Sequence, residues 1–214
     1  MRTTRIIAVR HGETDWNASA RIQGQRDIAL NAKGHWQASR AAQALADAGE
    51  TVAAVYSSDL ARAHETAHHI ANAMELDVLT DPRLRERGFG EYEGSTFAEL
   101  EQQWPQETAR WRARDAHWAP PGGESLTALG ERVLAATQSL AERHPNEQIV
   151  LVAHGGVLDM MYRIATRQGV DAERNWALGN ASINRLLWSP EGLSLVAWSD
   201  TSHLDASWRD ETIT

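Results

Sequence analysis

Ile6-Ile7-Ala8-Val9-Arg10-His11-Gly12-Glu13-Thr14 near the start of the chain and Ile149-Val150-Leu151-Val152-Ala153-His154-Gly155-Gly156 far downstream share one construction. In each, a short apolar run ends in a histidine and a glycine. Apolar runs rich in β-branched residues, without polar alternation, read as strands buried on both faces. Working outward, Val52 to Tyr56 is another such run and Leu76 to Leu79 a weaker one. Ile183 to Trp188 and Leu193 to Trp198 predict a late hairpin around Pro190-Glu191-Gly192.

Helices fill the intervals. Ala32 to Ala48 is alanine-rich, with Asn31 placed as N-cap and Gly49 as the stop, and Asp59 is expected to cap a helix running to about Met74. Glu124 to Arg143 puts Leu126, Leu129, Val133, Leu134, Thr137 and Leu140 on one face and ends before Pro145, and Gly156 to Thr166 reads as a shorter helix. Strands alternating with helices predict a layered α/β fold with a mostly parallel sheet. Residues 95–123, rich in charge and tryptophan and closed by Pro120-Pro121-Gly122-Gly123, break the rhythm. They are expected to form a helical, lid-like excursion within one domain spanning 1–214.

The composition narrows the function. A chain of 214 residues can bury a core without metal or disulfide staples, and the absence of cysteine excludes thiol nucleophiles and thiolate-ligated metals. It also points to a reducing compartment, with the cytoplasm the simplest address. The short run Ile6 to Val9, interrupted by His11, Gly12 and Glu13, predicts neither a signal peptide nor a membrane span. A formal net charge of −8 argues against nucleic acid or anionic membranes as partners.

In open α/β sheets, ligands bind outside the carboxyl ends of the strands. Three of the turns there carry chemistry: Arg10-His11-Gly12-Glu13-Thr14, Ser57 to Arg62, and His154-Gly155-Gly156. Two arginines, two histidines and exposed glycine amides suit a tetrahedral dianion such as phosphate. A neutral imidazole there could attack phosphorus, its pKa lowered by the flanking guanidinium charges. An alkoxide leaving group needs a proton, and Glu86, in a glycine-punctuated loop after Pro82, is the candidate donor.

These residues bring the chain to a resemblance to the histidine phosphatase superfamily, the phosphoglycerate mutase-like fold. Arg10 to Thr14 with Asn17, Arg21-Ile22-Gln23-Gly24 with Asp27 and Leu30, and Ser57 to Thr66 resemble its successive signature segments. So do Leu84 to Gly94, Gly122-Gly123-Glu124-Ser125, Val152 to Gly156 and Asp200-Thr201-Ser202-His203-Leu204. The resemblance implies a three-layer α/β/α sandwich, no metal and no other cofactor. It makes His11 the nucleophile of a phosphohistidine mechanism and Glu86 the proton donor. Arg10, Arg62 and His154 would bind phosphate, assisted by Asn17, Gln23, Gly24 and Gly155. Two departures favour the phosphatase branch over bisphosphoglycerate-dependent mutases: Gln23-Gly24 where those mutases carry serine-glycine, and a shorter stretch between the acid block and Gly122. The expected partner is a small phosphate ester.

Three other readings compete. His64-Glu65-Thr66-Ala67-His68 matches the H-E-x-x-H pattern of zinc metallopeptidases on a predicted helix, with Glu86 at a spacing a third ligand could have. That reading leaves His11, Arg10, Arg62 and His154 unexplained. The sister reading is a phosphoglycerate mutase, and a third is a catalytically silent binding module on the same fold. Trp104, Trp111 and Trp118 recur every seven residues, a spacing that signals packing, with one or more also expected to wall the pocket. An exposed tryptophan surface would permit a homodimer.

Overall fold

The computed structural model describes residues 2–205. In chain order its elements are β1 (Thr4–Arg10), α1 (Asp15–Ala18), α2 (Ala32–Asp47), β2 (Ala54–Ser57), α3 (Ala61–Ala73), β3 (Val78–Thr80), α4 (Phe97–Gln103), α5 (Pro105–Arg112), α6 (Leu126–Ala141), β4 (Gln148–Ala153), α7 (Gly155–Thr166), β5 (Ile183–Ser189) and β6 (Gly192–Asp200). Six strands form one sheet in the order β3-β2-β4-β1-β5-β6. The first four are mutually parallel, and the β5–β6 hairpin adds on antiparallel beside β1.

Both faces of the sheet are covered, which is why its central strands lack polar alternation. Ile7 and Val9 pack with Leu45 of α2 and Ile70 of α3, whereas Ile6 and Ala8 pack with Leu129 and Val133 of α6 and Leu158 of α7. The result is an α/β/α arrangement of three layers. Among the described residues no helix is long and apolar enough to cross a membrane.

Side chains cap the starts of α1, α2, α4 and α6, whereas α3, expected to begin at an Asp59 cap, has none. Asn31 Oδ1 accepts the Gly34 amide at the start of α2, and Ser125 accepts the Ala128 amide at the start of α6. Asp59 is not a cap. Arg85 captures both its carboxylate oxygens, and the free amides of Leu60 and Ala61 go to Ser58 Oγ and Asp27 instead. A charge-assisted, bidentate ion pair outcompetes a single amide for the carboxylate. Leu134 also departs from its expected place on the buried face of α6, since it is 40% exposed.

The excursion is helical and has a small core of its own. Trp104, Trp111 and Trp118 gather around Tyr92, with ring centroids 5.2, 6.4 and 6.3 Å away. They do not share one helix face: Trp104 lies at the junction of α4 and α5 and Trp118 lies beyond α5. Backbone pairing of Ile22 with Gly94 and Ser95 ties the excursion to the loop after α1.

The first turn of α2 presses directly on the loop that follows β1. A Cβ on Gly34 would stand 2.0 Å from the Glu13 carbonyl oxygen, and one on Gly12 would stand 2.4 Å from the Gly34 carbonyl oxygen. Replacing a helical glycine by alanine ordinarily stabilises a helix. Gly34→Ala is predicted to do the opposite, destabilising the chain by about 1–3 kcal/mol through overpacking. Chemical denaturation of the variant checks the sign.

Candidate active site

β4 lies between β1 and β2, so the turns leaving these three strands converge on one crevice. His11 and His154 follow neighbouring strands whose last residues, Arg10 and Ala153, are in register. The His11 amide donates to the Ala153 carbonyl, and the two imidazole centroids come within 5.1 Å. Arg62 enters from the first turn of α3, fully buried, and its guanidinium donates to the carbonyls of Gly24 (2.7 Å) and Arg26 (2.8 Å). Arg10 donates to the Leu178 carbonyl.

Hydrogen bonding sets the tautomer of His11. Its Nδ1 lies 2.6 Å from the Gly12 carbonyl oxygen, which can only accept, so Nδ1 carries the proton and Nε2 keeps its lone pair. Burial, with the cations Arg62 and Arg10 beside it, holds the His11 pKa well below its ordinary value against the pull of Gly12. His154 is depressed in the same direction by burial, Arg62, His11 and Arg10.

Around this free base lie polar atoms that no other protein group satisfies. Arg10 Nε, Arg62 Nε and both ring nitrogens of His154 are buried without a hydrogen-bond partner. Leaving such groups unpaired costs free energy, so their concentration at one point marks a site built for an anionic ligand. His11, Arg10, Arg62, Asn17, Gln23, Gly24 and Glu86 all line the same cavity of about 200 Å³. The side-chain oxygens of Asn17 and Gln23 accept from Thr14, which leaves their amide NH2 groups as donors.

Glu86 is seated by backbone. Its carboxylate accepts the Gly156 amide at the start of α7, 3.0 Å from each oxygen, and the Arg87 amide at 2.7 Å. A Cβ on Gly156 would lie 2.3 Å from Glu86 Oε1, so the second glycine after His154 makes room for the acid. Gly155 lies between Arg10 and Glu86. The competing H-E-x-x-H residues go elsewhere: His64 and His68 pack edge to face, Glu65 accepts the Leu30 amide, and Glu86 is held at Gly156. Among the described residues no three His, Cys, Asp or Glu side chains are grouped to hold a metal ion.

Several supports escaped the sequence reading. Asn180 Nδ2 donates to the carbonyls of His11 and Gly12 and to Asn17, and the Ala181 amide donates to His11 O, so the segment before β5 clamps the loop that carries His11. Thr66 Oγ1 accepts the Gly12 amide and donates to Arg62 O, coupling the loop to the helix that carries Arg62. Glu93 accepts the amides of Gln25 and Phe89, joining the Gly24 loop to the acid-bearing segment. Thr66 and Glu93 stand within the signature segments but carried no role there, and Asn180 offers only a polar residue ahead of a strand, a signal that countless surface residues share.

With this geometry in view, the model of the histidine phosphatase superfamily (branch 1) matches residues 6–201. The chain belongs to this superfamily. Among superfamily relatives, phosphoglycerate mutase-like protein 4 of Arabidopsis thaliana is 39% identical over 203 residues, covering 94% of this chain and 86% of that protein. The metal-independent phosphoserine phosphatase of the same plant is 38% identical over 205 residues, covering 95% and 84%. A mycobacterial glucosyl-3-phosphoglycerate phosphatase solved with VO3 superimposes with a TM-score of 0.82 at 32% identity, over 92% of this chain and 99% of that one.

The lowered pKa values lead to a direct check. In the phosphate-free protein both buried imidazoles are predicted to stay neutral to lower pH than an unperturbed histidine, because burial and the neighbouring guanidiniums hold their pKa values down. Because the folded forms bind fewer protons than the unfolded chain, these two groups also make stability fall as pH drops below about 6.5. Carbon-detected NMR titration of the histidine rings tests the protonation state.

Proposed function

We propose that this histidine phosphatase superfamily member is a cytoplasmic phosphomonoesterase of small phosphorylated metabolites, working through a phosphohistidine on His11 without a metal ion. One observation carries the reading: the neutral His11 ring, its Nε2 unprotonated, lies beside Arg10, Arg62 and His154, whose buried nitrogens include Arg10 Nε, Arg62 Nε and both His154 ring nitrogens without a protein partner. The similarity to a metal-independent phosphoserine phosphatase and to a glucosyl-3-phosphoglycerate phosphatase supports phosphoester hydrolysis. The cysteine-free composition suits the cytoplasm.

The reaction takes two displacements. First, the Nε2 lone pair attacks phosphorus in line, and the bond from phosphorus to the ester oxygen breaks. That oxygen takes a proton from the Glu86 carboxyl group, and the alcohol departs. Arg10 and Arg62 stabilise charge on the equatorial oxygens, with His154 donating from one ring nitrogen and Asn17 and Gln23 from their amides. Second, water attacks the phosphohistidine and gives its proton to Glu86, the P–N bond breaks, and His11 regains its neutral form. The guanidiniums supply the charge stabilisation that a bound cation provides in other phosphoryl-transfer sites.

Steady-state hydrolysis of p-nitrophenyl phosphate is predicted to survive millimolar EDTA. His11→Ala should lower kcat at least about 1000-fold, and retention of wild-type activity in that variant would remove His11 from the mechanism. Glu86→Gln should slow alkyl phosphates by about 100- to 10,000-fold while sparing much of the aryl phosphate rate, because p-nitrophenolate leaves without a proton. Equal losses on both ester types would deny Glu86 its role as acid.

A further inference from the structure

Glu86 stands on a segment that belongs to no helix or strand. A single 3-10 turn, Pro82–Leu84, ends just before it, and residues 85–89 run on without regular pairing. Carbonyls in such a stretch have no ladder to accept from, so each needs a donor from elsewhere. Arg132 of α6 is that donor. Its Nη1 donates to the carbonyls of Arg83 (2.7 Å) and Arg85 (2.8 Å), and its Nη2 to that of Glu86 (3.3 Å). The rest of the fork goes to the Glu124 carboxylate, Nε to Oε1 at 2.9 Å and Nη2 to Oε2 at 2.7 Å. Every N–H of the guanidinium is engaged.

Glu124 is tied to the same segment, its amide donating to Gly88 O and its carbonyl accepting from Arg87 Nε. Gln25 Nε2 adds a second donor to Glu86 O at 3.2 Å. The main chain of Glu86 is therefore gripped from α6 and from the Gly24 loop, while its carboxylate rests on the Gly156 and Arg87 amides. Arg132 itself lines a separate surface depression that shares no lining residue with the phosphate cavity.

We propose that Arg132, locked by Glu124, is the positioning residue of the proton donor. It fixes the main chain of residues 83–86 so that the Glu86 carboxyl group meets the ester oxygen as the bond from that oxygen to phosphorus breaks. The inference rests on the phosphomonoesterase reading above. A plain staple between a helix and a loop would, when cut, slow all esters alike. Loss of a positioning contact instead falls on esters whose leaving oxygen needs a proton. Holding three carbonyls and a carboxylate together takes the planar fork of arginine, since an ammonium has only three donors.

The test compares p-nitrophenyl, phenyl and benzyl phosphate, which share a ring and differ in the basicity of the leaving oxygen. Their kcat/KM values report the displacement in which that oxygen departs. Arg132→Met is expected to lower kcat/KM for benzyl phosphate about 10- to 100-fold more than for p-nitrophenyl phosphate, the scale of a misplacement of about 1 Å. Phenyl phosphate should fall between. Glu124→Gln should shift the ratio the same way by less, and Arg132→Lys should recover part of the loss. In the Glu86→Gln background, Arg132→Met should leave the ratio unchanged within about twofold, because the acid it places is gone. Arg132 is also the last of the influences, after burial, Arg62, His11 and Arg10, that depress the His154 pKa. That effect acts on the phosphoryl group, common to all three esters, and cancels in the ratio.

Parallel losses on all three esters, or the same ratio shift with and without the Glu86 carboxyl group, overturn the assignment. Arg132→Lys and Glu124→Gln nearly keep the side-chain volumes, so the ratio remains readable if Arg132→Met does not fold, and a wild-type ratio in both also overturns it. A ratio that Glu86→Gln alone leaves unchanged denies Glu86 its role as acid and removes the positioning role with it, while hydrolysis through His11 stands. No hydrolysis of any of the three esters by the wild type overturns the phosphomonoesterase reading and this inference together.

Discussion

The hydrogen bond from His11 Nδ1 to the Gly12 carbonyl fixes which nitrogen is free, and the rest of the site depends on that choice. A lone pair at Nε2 is useful only if the ring stays neutral beside two guanidiniums. Burial and those same cations secure this, because protonating the imidazole would add a third positive charge to a poorly solvated pocket. The arrangement stores electrostatic free energy that a phosphate dianion can recover, which is the physical basis for preorganised stabilisation of a phosphoryl transition state.

Keeping such a pocket in shape needs rigid support, and the fold provides it from four directions. β1 and β4 deliver the histidines from adjacent, in-register strands. The first turn of α2 holds the loop after His11 at distances that only glycines at positions 12 and 34 allow. Asn180 and Ala181 grip its carbonyls, and the Gly156 amide seats Glu86. Each contact is made by backbone or by a short side chain, so little conformational freedom remains to blur the geometry.

The layered fold was legible because strands buried on both faces leave uninterrupted apolar runs, and because Asn31 is used as the cap its chemistry suggests. The charged core of the site was legible too: Arg10, His11, Arg62 and His154 stand at strand ends, where α/β sheets place ligands. What escaped the reading depends on long-range partners. Asp59 looks like a cap until Arg85 is seen to hold it, and Asn180 looks like a turn residue until His11 lies above it. The tryptophan spacing signalled packing but not its partner: Trp104 and Trp118 reach Tyr92 from opposite ends of α5.

The central claim is that the phosphoryl group resides covalently on His11 during turnover. A rapid-quench single turnover with an ester labelled at phosphorus, stopped in alkali, tests it most directly, since a phosphohistidine survives alkali and is lost in acid. The account predicts a transient, alkali-stable and acid-labile label that maps to the His11 peptide and is absent from His11→Ala. Label on any other residue, or a wild-type turnover that passes from ester to free phosphate with no such species at any time, would contradict it.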